Sequence, residues 1–205
     1  MSIDPRTPVL VGQGQVVNRI ASLNDAREPA QLIADAIRQA ATDAKLNKFP
    51  EIDALHIVRL ISWKYTNPAF TVASLLGIKT RTHGITPHGG NMPQLLVNKL
   101  ALEIQRGELE IAVVAGGEAS NSRARAHREN ATINWSESDA DTPSANNIID
   151  DAAMSNEAEI AHKIVLPIQI YPMFESAIRA KAGRDINQHE QRISELWSRF
   201  SNVAA

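Results

Sequence analysis

Cysteine is missing from this sequence altogether. Its absence excludes disulfides, thiolate metal sites and any thiol nucleophile. Six histidines are present, at His56, His83, His88, His127, His162 and His189. No two of them stand at HxH or HxxxH spacing, so no metal site is expected. An excess of charge is also lacking: a formal net charge of −2 over 205 residues gives no electrostatic footprint for nucleic acid. One local basic run, Arg123, Arg125, His127 and Arg128, is too short for a polyanion strand. It reads either as a solvated helix end or as a holder of one or two phosphates. Long apolar runs are absent too. Residues 1–7 carry no signal-peptide core, and no run approaches the roughly 20 residues that span a bilayer. The chain is therefore expected to be soluble and cytoplasmic, with no membrane span.

What is there is ordinary globular composition, 43% hydrophobic and 21% charged, enough for one sizeable domain or one half of a two-fold repeat. Residues 8–17 (PVLVGQGQVV) read as a first strand, broken by Gly12 and Gly14. From Glu28 to Leu46 the period changes: Ile33, Ile37, Ala40, Ala41 and Ala44 recur every three or four residues, and Pro29 suits a first helical turn. Residues 52–61 (IDALHIVRLI) form a second strand. Asn67 and Pro68 open a second helix that Gly77 stops. A weak third strand covers 81–86, a third helix 91–106, and a fourth strand 110–115. This alternation predicts an α/β fold of βαβ units with a mainly parallel sheet.

The third helix is apolar on more than one face, with Met92, Leu95, Leu96, Val97, Leu100, Ala101, Leu102 and Ile104. It is expected to be buried on more than one side, as a helix between two sheets would be. Residues 131–157 are polar and acidic without a clear period, and read as an excursion outside the sheet. Order returns at Pro167, with a helix through Ala182. A capping box at Asp185 and Gln188 opens a last helix striped by Ile193, Leu196, Trp197 and Phe200, a core or interface stripe.

Three places have the local form of a site. GQGQ at residues 12–15 lacks the third glycine of a dinucleotide turn, since Val17 stands there, and is better explained as a strand end. Between His83 and Gln94, Gly89 and Gly90 directly precede a helix. The backbone can turn sharply there and present free amides and a positive dipole end. That elbow suits a nucleophile or an oxyanion; a tight connection with nothing bound remains open beside it. Residues 115–120 (AGGEAS) follow the fourth strand, where α/β folds place ligands. Glu118 is expected to support a loop or an interface.

With these features in view, the sequence resembles the thiolase superfamily. It is most similar to the branch of acetyl-CoA acetyltransferases and sterol-carrier-protein-linked thiolase-like proteins, of the type with an additional C-terminal domain. The resemblance runs in order through PVLVGQGQVVNR, IDALHIVRLISWKY, GGNMPQLLVNKLALEIQRGELEIAVVAGGEASNSR and LPIQIYPMFESAIRAKAGRDINQHEQRISELWSRFSNVAA. It implies the N-terminal half of a thiolase-like fold (βαβαβαβ) with a loop excursion and C-terminal helices. The implied divisions are 1–118, a loop subdomain at 119–166, and a helical segment at 167–205 leading toward a second half. It also implies a coenzyme A thioester as substrate or ligand, with no further cofactor. Counted back along the family pattern, the nucleophile position falls on Gly90, with Met92 and Pro93 nearby. Thiolase chemistry passes through an acyl-cysteine, so thiolytic activity is not expected. Any surviving thioester site would involve Gly89, Gly90, Asn91 and His88. The partners to weigh are acyl-CoA, a homo-oligomer or a missing C-terminal half. Three functions stand side by side: an inactive or altered acyltransferase relative, a non-catalytic acyl-CoA-binding or scaffolding partner, and, least supported, a dinucleotide oxidoreductase. Leu95, Leu96, Leu100 and Ile104 are expected to expose an association-prone surface.

Overall fold

The central strand explains the rest of the sheet. In a computed structural model describing residues 4–137, 140–151, 153 and 155–205, β1 (Ile52–Ile57) is buried at five of its six positions. A strand so apolar on both faces needs cover on both, which parallel sheets obtain from crossover helices. β1 pairs in parallel with β2 (Thr80–Ile85) and with β3 (Ala112–Ala115), and β2 pairs with the two-residue β4 (Asn146–Asn147). The order is β3-β1-β2-β4. The chain falls into two compact units, divided after Asp151. The expected excursion includes positions 138, 139, 152 and 154, which lie outside the described residues, as do residues 1–3.

On one face of the first unit, α1 (Pro29–Asp43) and α2 (Pro68–Leu76) pack against Leu55 and Ile57. Ala30, Ile33, Ala34, Ile37, Ala69 and Val72 complete that core. Each large aliphatic side chain buried there contributes about 1.5–3 kcal/mol. Pro29 stands in the first turn of α1. Asn67 caps α2 by accepting from the Phe70 amide, and Gly77 ends it at φ +67°, a conformation that favours glycine. Alternate strand residues point the other way. That face carries Ala54 and His56 beneath α3 (Met92–Gln105), whose Glu103 and Lys99 are the charges acting on His56.

Four expectations change. Residues 8–17 are not a strand of the sheet but an extended segment lying on α1, where the amides of Gln13 and Gln15 donate to Asp43 and Gln39. From Val11 onward a period-two alternation puts Gly12 and Gly14 inward, while Val9, Leu10 and Val11 are all exposed. A Cβ on either glycine would stand 2.2 Å from a carbonyl oxygen of α1. The second strand ends at Ile57 rather than Ile61, because the Arg59 amide turns to the Thr86 hydroxyl. The third helix is covered on one side only: Leu96 and Leu100 are buried, while Val97 and Leu102 are 51% and 50% exposed. The exposed apolar set therefore differs from the expected one, since Leu96 and Leu100, four residues apart, share the covered face. Finally, residues 119–166 hold α4 (Ser120–Arg128), β4 and α5 (Glu157–Ala161), and Asn146 and Asn147 join the sheet beside Gly84 and Ile85.

The second unit contains α5, α6 (Pro167–Lys181) and α7 (Ile186–Ala204). The Asp185–Gln188 capping box is present. His189 of α7, buried, meets Glu175 of α6 at 2.7 Å. Trp197 and Phe200 stack edge to face on an exposed stripe of α7. Among the described residues no helix is long and apolar enough to cross a membrane.

Two outcomes follow for stability. Gly14→Ala is expected to displace residues 8–17 from α1, seen as lost hydrogen-exchange protection at the Gln13 and Gln15 amides; unchanged protection would refute the close-approach role. Burial lowers the basicity of His56 and His83 from the usual 6.5, so each ring holds its proton less readily in the folded chain than in the unfolded one. The unfolded chain then binds more protons, so stability is level above pH 6.5 and falls below it, by at most about 1.4 kcal/mol per pH unit per ring. The Asp53 carboxyl, held down by the Glu110 and Ile111 amides, contributes above its usual 3.8 and loses that only at lower pH. Urea midpoints of wild type and His56→Leu between pH 8 and 5 separate the effects, the variant showing the shallower fall.

Candidate functional site

The loop after β1 carries the site. Residues 58–66 leave the carboxyl end of the central strand and must be fastened, since a loop has no ladder of its own. Glu118 supplies the first fastening: its carboxylate accepts the amides of Ile61 at 2.6 Å and Ser62 at 2.7 Å. Ser62 returns the contact by accepting the Ala119 amide on its hydroxyl, and its carbonyl accepts from Arg123. Glu28, 1% exposed, holds the far end of the loop. It accepts the Tyr65 hydroxyl at 3.1 Å, together with the amide and hydroxyl of Ser136. Burial first, and the Glu28 carboxylate beside it, push the Tyr65 phenol far above its ordinary range, so it stays a neutral donor. Trp63 donates to the Ser136 carbonyl and meets Trp135 edge to face at 5.1 Å.

Thus fastened, the loop walls a cavity of about 680 Å³ beyond the carboxyl ends of β1 and β2. Arg59, Trp63, Lys64, His88, Arg123 and Glu137 are among its lining residues. A smaller recess of about 390 Å³ lies beyond the ends of β1 and β3, lined by Val58, Arg59, Leu60, Pro93 and residues 114–118. The chain runs from β1 to β2 on one side and then to β3 on the other, so this recess sits at the topological switch point, where open α/β sheets bind ligands.

The sequence-selected residues divide between these places. His88 lines the larger cavity. Glu118 lines the smaller recess. Gly89, Gly90 and Asn91 line neither, but form the elbow directly before α3, whose Pro93 borders the smaller recess. Asn91 occupies the cap position without a side-chain cap bond, and Met92 donates to the Gly89 carbonyl. A Cβ on Gly90 would meet nothing within 4 Å, so the position is open to a side chain. Arg59, Lys64, Trp63, Tyr65 and Glu28 were not singled out from sequence. The usable signal was the cluster SWKY between two apolar blocks, hidden by extending the strand to Ile61. Among the described residues no group of three or more metal-ligating side chains converges.

Glu118→Ala leaves two loop amides without their acceptor, an expected loss of about 1–3 kcal/mol. The check is a lower urea midpoint with faster hydrogen exchange at Ile61 and Ser62; unaltered exchange at those two amides would show that Glu118 does not hold the loop.

No family model matches this sequence, and no curated protein matches it. Among solved structures, a monomeric SCP2-thiolase-like protein type 1 from Mycobacterium smegmatis is similar, with a TM-score of 0.63 and 23% sequence identity. The similarity covers 98% of this chain and 35% of that one, so the chain spans about a third of the length of the protein it matches. At that identity the likeness speaks for the fold. The architecture is an α/β, thiolase-like one.

Proposed function

We propose that this chain is a thiolase-like protein that binds acyl-coenzyme A thioesters without thiolytic activity. The observation that carries the reading is the joint one of a thiolase-like fold over 98% of the chain and a sequence without cysteine. Thiolysis and condensation require a thiolate that attacks the thioester and later leaves. Gly90, at the position the resemblance assigns to the nucleophile, offers no such group. A site that keeps the framework and loses the nucleophile retains the means to bind. In this reading the amides at residues 89–91 and the imidazole of His88 face the thioester, the recess bordered by Pro93 takes the acyl end, and the larger cavity takes the carrier.

A non-catalytic scaffolding role, in which the chain pairs with a second subunit or a further half, is the alternative. It is favoured by the exposed Val97 and Leu102 on α3. The oxidoreductase reading has the least support: Gly12 and Gly14 serve the close approach of an extended segment to the α1 backbone, and no helix opens directly after them as a dinucleotide turn requires.

Calorimetric titration of the chain with acetyl-coenzyme A is expected to show saturable binding, and incubation with acetoacetyl-coenzyme A and coenzyme A no thiolysis. Because Gly90 faces open space, Gly90→Cys should be accommodated. Its thiolate would attack an acyl-coenzyme A carbonyl, coenzyme A thiolate would leave, and the mass would rise by one acyl group. Wild type that binds no acetyl-coenzyme A would sink the proposal; a bound thioester that leaves the Gly90→Cys thiol unmodified would remove the elbow from it.

A further inference from the structure

We propose that the cavity beyond β1 and β2 is a phosphate site, in which Arg59, Lys64 and Arg123 take a phosphate or diphosphate group of the ligand. The inference deepens the acyl-carrier reading and rests on it for the identity of the ligand. Three permanent cations line the cavity against one carboxylate, Glu137, in a chain whose formal net charge is −2. Local placement rather than overall basicity creates the positive wall.

Two of the cations are fixed in advance. Arg59 uses its amide and its Nε on the hydroxyl and carbonyl of Thr86, a fully buried residue at the end of β2, and keeps its two terminal nitrogens for a ligand. Arg123 gives one Nη to the Ser62 carbonyl, so Glu118, which holds Ser62, also sets Arg123. Lys64 makes no hydrogen bond or ion pair among the described residues. A forked guanidinium matches phosphate oxygens in pairs, and an ammonium adds a movable point charge. Holding them before the ligand arrives removes ordering cost from binding.

The same geometry resolves the two readings of the basic run at residues 123–128. Arg125 is committed to Glu129 and to the carbonyls of Ile20 and Ala21. His127 and Arg128 are exposed and line none of the cavities described above. Only Arg123 faces the cavity. The run is a solvated helix end from which a single residue is turned to binding.

The test compares three probes on the full chain: coenzyme A, pantetheine, which lacks the phosphates, and inorganic pyrophosphate. Trp63 in the cavity wall provides a fluorescence readout alongside calorimetry. Coenzyme A is expected to bind at least roughly tenfold more tightly than pantetheine, a ratio that one or two charge-assisted contacts supply. Pyrophosphate should compete with it, and added salt should narrow the gap. Lys64→Gln, at an exposed position, should shrink the ratio severalfold while leaving pantetheine binding and the thermal unfolding midpoint unchanged, and Arg123→Gln should shrink the ratio severalfold as well. Equal affinity for coenzyme A and pantetheine, with no pyrophosphate binding, overturns the phosphate site but leaves the acyl-carrier reading standing. Pyrophosphate binding that survives both substitutions also overturns it, since the anion then sits elsewhere. Pyrophosphate binding that both substitutions weaken, with no binding of pantetheine or acetyl-pantetheine, keeps the phosphate site and removes the acyl-carrier reading.

Discussion

The carboxylate of Glu118, caught between the amides of Ile61 and Ser62, is the contact on which the candidate site depends. It ties the turn after the edge strand β3 to the loop after the central strand β1, across 57 and 56 residues of sequence. Charge-assisted bonds to backbone amides are about twice as strong as neutral ones, and here one side chain makes two. Without them the loop holding Arg59, Trp63, Lys64 and Tyr65 would lose the two amide bonds that fix its middle at Ile61 and Ser62. Ser62 carries the constraint onward to Ala119 and Arg123. Of the cations, Arg123 is therefore positioned by Glu118 through Ser62, while Arg59 is set by Thr86.

Glu28 is the complementary device. A buried carboxylate is costly unless its oxygens are satisfied, and this one has three donors, from Tyr65 and Ser136. The network joins the start of α1, the loop after β1 and the segment at residues 135–136.

Much of the architecture was legible in the chain. β1, α1, α2 and α3 follow from period, proline position and stop signals, and these local rules act within one element. The first strand was misread for a definite reason: Pro8–Val17 has the composition of a strand, but its alternation turns glycines inward, and the helix backbone fits there more closely than a sheet edge would need. The third helix was misjudged because periodicity reports how apolar each face is and not whether a second layer is present to cover it. Of the site, His88, the elbow and Glu118 were visible as turn residues at the ends of predicted elements. Arg59 and Lys64 were not, because a cation next to a strand reads as solvated until a partner is known.

By itself the sequence determined that these 205 residues carry no thiol and that their elements alternate as an α/β fold, since both depend only on which residues are present and how they are spaced. Tertiary structure alone decided which charges meet. Arg59 is set by Thr86, Arg123 by Ser62, and Ser62 by Glu118, pairs separated by 27 to 61 residues. Hydrogen bonds reach about 3 Å, and only the pairing order of the sheet brings groups so far apart in the chain within that distance.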